Sequence, residues 1–150
     1  MRKSKKKILT IAIIVAVVVI AIPVGLYVAG NYYFNDAHIY EETWDFNLPR
    51  NIKEEYSAKT PQDFRGEGLR YTVFHYEADG SDFIKTFESE KNEQIETEIS
   101  AILADLSVSE ENAPAFSENY LWKHIEKYDD HLYIVYVAAD AKLYLVQNIM

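Results

Sequence analysis

The chain contains no cysteine, which excludes disulfides, thiol catalysis and a lipid anchor carried on cysteine. It also lacks any acidic residue before Asp36. Glycine and proline are sparse, and no low-complexity segment, internal repeat or second linker interrupts the sequence. No GxGxxG element is present, and no glycine-rich loop is followed by the lysine that a phosphate cradle uses. Serines and histidines occur without the context of a nucleophile elbow.

What is present divides the chain by charge. Arg2, Lys3, Lys5, Lys6 and Lys7 place five positive charges in the first seven residues. From Asn31 onward ten basic residues face twenty-four acidic ones, a formal charge of −14. Between these regions, Ile8 to Gly30 is uncharged and almost wholly apolar. A helix rises about 1.5 Å per residue, so about 20 residues cross a hydrocarbon core of about 30 Å. The sequence therefore predicts a single transmembrane helix, a signal anchor, over 8–29. A spanning strand would leave its backbone unpaired in lipid. Lysine and arginine stay on the cytoplasmic side, so the N-terminus is expected inside and the remainder outside the cell membrane. Tyr32, Tyr33 and Phe34 suit an interfacial aromatic belt. The alternative is a cleaved signal peptide, with Pro23 and Gly25 ending its apolar stretch and Val28-Ala29-Gly30 supplying small residues for cleavage. The domain would then be secreted.

The expected organisation is a basic head (1–7), the membrane helix (8–29), a juxtamembrane linker (30–36) and an extracytoplasmic domain (37–150). Such a domain is long enough to fold on its own core. Its aromatic content argues against disorder.

The fold class expected is α+β: an antiparallel sheet of five or six strands packed on one long amphipathic helix. His38 to Phe46 alternates as a strand would. Asn51 to Ser57 fits a weak strand or a helical turn, and Lys59 to Gly68 reads as a loop. Leu69 to Glu77 is rich in β-formers. Ser81 or Asp82 then caps a helix reaching Leu106, with room for a break near Ser89. Tyr120–Tyr128, His131–Val137 and Lys142–Asn148 form a meander with turns at Asp129-Asp130 and Ala139-Asp140. One sheet face collects Leu121, Ile125, Leu132, Ile134, Tyr136, Leu143 and Leu145. That aliphatic face is the expected seat of the helix. The other face collects Trp122, His124, Tyr128, His131, Tyr133, Val135, Tyr144 and Val146, and is expected to lie open.

No residue set announces catalysis. Glu41-Glu42, Glu54-Glu55, Glu110-Glu111 and Asp129-Asp130 are adjacent pairs, and neighbours on a strand point to opposite faces. Glu77 to Asp82 lacks the spacing of a calcium loop, because its glycine follows too early. With the turn at Asp129-Asp130, His124 and His131 stand about 13 Å apart at about 3.4 Å per residue, so no metal site and no cofactor are expected. The expected function is a membrane-anchored, non-enzymatic binding module for an unknown protein or envelope partner. Trp122, Tyr128, Tyr133 and Tyr144 are its candidate contacts, because interface centres favour such residues. Arg65 and Arg70, rare cations in an acidic domain, are candidates for an anionic group on that partner. The acidic balance disfavours nucleic acid. Alternatives are an inhibitor or immunity-type protein with an acidic face, and an envelope hydrolase whose carboxylates meet only in the fold.

Overall fold

The computed structural model describes residues 2–33, 35–61, 67–78 and 80–150, the side chains of 2–12, 14, 29 and 31–33 excepted. The chain divides into two units, Met1–Thr43 and Trp44–Met150.

The apolar run is helical, within α1 (Arg2–Tyr33), and Pro23 lies inside it. The expectation of a transmembrane helix is nevertheless corrected: among the described residues, no helix is long and apolar enough to cross a membrane. The side chains of Arg2, Lys3, Lys5, Lys6, Lys7, Tyr32, Tyr33 and Phe34 lie outside the described residues.

A second correction concerns His38 to Phe46. It forms α2 (Asp36–Trp44), not a strand. Asn35 Oδ1 accepts from Ala37 N at 2.8 Å, and Asp36 adds a negative charge in the first turn. His38 Nε2 lies 3.2 Å from Glu42 Oε1, one turn on. The even spacing that suggested a strand also contains this i,i+4 pair.

The second unit is α+β. Its five strands are β1 (Ile52–Lys59), β2 (Gly68–Tyr76), β3 (Tyr120–Lys127), β4 (Asp130–Val137) and β5 (Lys142–Ile149). All pair antiparallel, in the order β1-β2-β5-β4-β3. The edge strand β1 carries Lys53, Glu54, Glu55 and Lys59, and its register shifts between Glu54 and Tyr56. Charge and a bulge both discourage edge-to-edge pairing. Gly68 opens β2 where a Cβ would meet Thr60 Oγ1 at 2.7 Å. The backbone approaches closely there, with Leu69 N donating to Thr60 Oγ1 at 2.9 Å.

The division of the sheet into an aliphatic and an aromatic face holds, but the helix sits on the face expected to be open. Ile95, Ile99, Ile102 and Leu103 of α3 (Glu93–Asp105) form one core with Tyr71, Val73, Tyr133, Val135, Tyr144 and Val146. The chain changes faces before α3 begins. Phe83–Thr86 forms a short 3-10 turn on the aliphatic side, where Phe83 meets Tyr76 edge-on at 6.0 Å. Glu88 then bridges Trp122 at the β3 edge, with backbone hydrogen bonds of 2.8 and 2.9 Å. This crossing breaks the long helix that the sequence predicts. Beyond it Asn92 caps α3, its side chain accepting from Gln94 N and Ile95 N.

The aliphatic face is covered as well. Trp44 Nε1 donates to Gln147 Oε1 at 2.8 Å, and Trp44, Leu48 and Leu132, Ile134, Leu143 and Leu145 are all buried.

Burial of the Tyr144 phenol has a consequence at high pH. Its pKa is raised, first by loss of water and then by the charge of Asp140, whose Oδ2 accepts its hydroxyl at 3.1 Å. A raised folded pKa gives stability that is complete below the unfolded value, about 10, and is lost as pH rises. Tyr144 should remove up to about 1.4 kcal/mol of stability per pH unit above about pH 10. Tyr144→Phe should flatten that part of the alkaline limb in thermal melts.

Candidate functional site

The β3–β4 end of the sheet brings together the side chains with the most chemistry. The sequence predicts a turn at Asp129-Asp130, but β4 starts at Asp130 and the turn falls on Tyr128-Asp129. Pairing moves by two residues, so Ile125 faces Leu132 and His124 faces Tyr133. An even shift keeps every side chain on its face but gives it a new partner. The expected separation of His124 and His131 is therefore corrected: His124 Nε2 and His131 Nδ1 are 3.0 Å apart.

The two imidazole planes differ by 16° and their centroids are 5.2 Å apart. The rings are nearly parallel and touch through their nitrogens. At 3.0 Å one of these nitrogens donates and the other accepts, and at most one carries a hydrogen there. Glu126, directly across from His131 in the register, is the third member. One ligand atom from each of His124, Glu126 and His131 lies within 4.8 Å of the others.

Supporting contacts fix this cluster. Tyr133 lies parallel to His124, with centroids 4.6 Å apart and a 6° tilt. Its hydroxyl donates to Glu98 Oε2 at 2.8 Å, tying the hairpin to α3. Hydrogen bonds from Gln94 first, and from Tyr133 second, hold the Glu98 carboxyl below the usual carboxylate range. Loss of water first, and the neighbouring His131 second, push the His124 pKa down. His124 therefore favours the neutral form that can accept a hydrogen or bind an ion.

The four aromatic residues expected on an open face take different places. Tyr133 and Tyr144 are buried beneath α3. Trp122 is half-buried, and its Nε1 donates to Glu90 O at 2.8 Å. Tyr128 leaves the face altogether: it is 97% exposed in the turn, with φ 59°. Of the two arginines, Arg65 lies outside the described residues. Arg70 is buried in β2 and lines a cavity of about 320 Å³ with Lys59, Thr60 and Pro61.

The sequence signal for the cluster is His124-x-Glu126, two residues on one strand face, followed by His131 after a tight turn. Which two residues make that turn decides whether the three converge.

No family model, curated protein or solved structure matches the chain.

Proposed function

We propose that the Trp44–Met150 unit is a non-enzymatic binding module that takes its ligand at the β3–β4 end of the sheet. The observation that carries this reading is the convergence of His124, Glu126 and His131 beside the exposed Tyr128. Elsewhere the middle of the sheet is occupied on both faces by the protein's own side chains. A tyrosine offers large contact area at low entropic cost, and interface centres favour it. The positive φ of Tyr128 is uncommon for a residue with a Cβ. A conformation of that kind, held in an exposed tip, supports a binding role.

The exposed carboxylates of Glu93, Glu110, Glu111 and Glu118 favour a protein or envelope partner with positive charge.

Crosslinking and pull-down from intact cells with the full-length protein test the reading. Capture should weaken about tenfold or more on Tyr128→Ala, which is about 1.4 kcal/mol. It should also weaken as salt is raised. Capture indifferent to Tyr128→Ala would move the contact surface away from this end of the sheet.

A further inference from the structure

We propose that His124, Glu126 and His131 form a binding site for a divalent transition-metal ion of the zinc, nickel or copper type. This deepens the binding reading above by naming a ligand for the same end of the sheet. The donor set, two imidazoles and a carboxylate, suits those ions and gives no preference to calcium or magnesium, which take oxygen donors. The distances support the assignment. Zinc binds nitrogen at about 2.0–2.1 Å, so two nitrogens at a tetrahedral ion stand about 3.3 Å apart. His124 Nε2 and His131 Nδ1 stand at 3.0 Å, and a widening of about 0.3 Å with a turn of the two rings that aims both lone pairs at one point admits the ion. A carboxylate oxygen of Glu126 lies within 4.8 Å of both, on a side chain exposed enough to swing inward.

The ion replaces the hydrogen that the two nitrogens share. The donating ring then carries its hydrogen on its other nitrogen, so a neutral pair accommodates the ion without net loss of a proton. Tyr133 and Glu98 act as positioning residues. The phenol ring holds the His124 plane, and Glu98 adds negative charge from α3 without contacting the ion. Three protein donors leave at least one coordination position for water or for a donor from a partner.

Titration of the full chain with Zn²⁺, Ni²⁺ and Cu²⁺ by calorimetry, with histidine ring signals followed by NMR, provides the test. One ion should bind per chain, shifting His124 and His131 and leaving His75 unmoved. His124→Ala and His131→Ala should each weaken binding at least tenfold. Glu126→Gln keeps the imidazole pair and a similar shape, and should weaken it by about tenfold, which carries the test should the histidine variants fail to fold. His75→Ala is the control, since His75 has its own carboxylate neighbours in Glu55 and Glu77. The assignment is overturned by the absence of saturable uptake up to about 1 mM of any of the three ions, or by binding that Glu126→Gln leaves intact and His75→Ala abolishes. Partner capture that persists in chelator while metal uptake is absent would sink the metal site and leave the binding module standing. Metal uptake without dependence of capture on Tyr128 would do the reverse.

Discussion

Trp44→Ala should destabilise the second unit by about 3–5 kcal/mol. Trp44 is 2% exposed, so truncation leaves a cavity that the strands can only partly close. The indole is also the donor to Gln147, which is itself 3% exposed on the aliphatic side of β5. Losing that donor adds the cost of a buried amide oxygen without a partner, about 1–3 kcal/mol. Two variants separate the terms. Trp44→Phe keeps most of the volume and loses the donor, so it should cost about 1–3 kcal/mol. Combining Trp44→Phe with Gln147→Leu removes both polar partners and should recover much of that loss. Denaturant unfolding of the three proteins measures all of it. A Trp44→Phe protein as stable as wild type would show that the hydrogen bond carries no weight.

Trp44 also illustrates what could be read before the structure. Its apolar character was legible, but its element was not. Tyr40, Glu42 and Trp44 alternate with Glu41 and Thr43, and a short apolar–polar alternation fits strand and helix alike. The deciding features are local, namely Asn35 as cap and the His38–Glu42 contact one turn apart. The meander was legible because β-formers, turn residues and period-2 alternation agree there. The register of β4 on β5, with Ile134 across from Leu145 and Tyr133 across from Val146, follows directly from that pattern.

Which face the helix covers was not legible, because the information is not local. The backbone bridge between Glu88 and Trp122 carries the chain round the β3 edge and delivers α3 to the aromatic face. Neither residue advertises that pairing in its own neighbourhood. The candidate site failed to emerge for a smaller reason. Tyr128, which takes up φ 59°, is an unusual residue for that conformation, whereas Asp129-Asp130 resembles ordinary turn chemistry. A shift of two residues in pairing kept the faces intact and brought two histidines into contact.

Tyr133→Ala should cost about 3–5 kcal/mol, and for a unit of this size each kcal/mol lowers Tm by about 4–8 °C. The ring is buried between the sheet and α3, in a core with Ile99, Tyr71 and Tyr144. An interface residue on an open sheet face would behave differently: its loss would impair partner capture and spare the melting temperature. Tyr133→Phe refines the comparison. It keeps the ring that faces His124 and removes only the hydroxyl that Glu98 accepts. A hydrogen bond to a charged group contributes about 1.5–3 kcal/mol, and solvent access at Glu98 should bring this one towards the low end. The alanine protein should therefore melt far below the phenylalanine protein. His124 should lose its nitrogen contact with His131 only in the alanine protein, since it alone lacks the aromatic surface that orients the imidazole. NMR of the histidine rings reports that contact directly. A Tyr133→Ala protein with unchanged Tm and abolished capture would return the aromatic face to the role of an exposed interface and displace the hairpin end as the binding site.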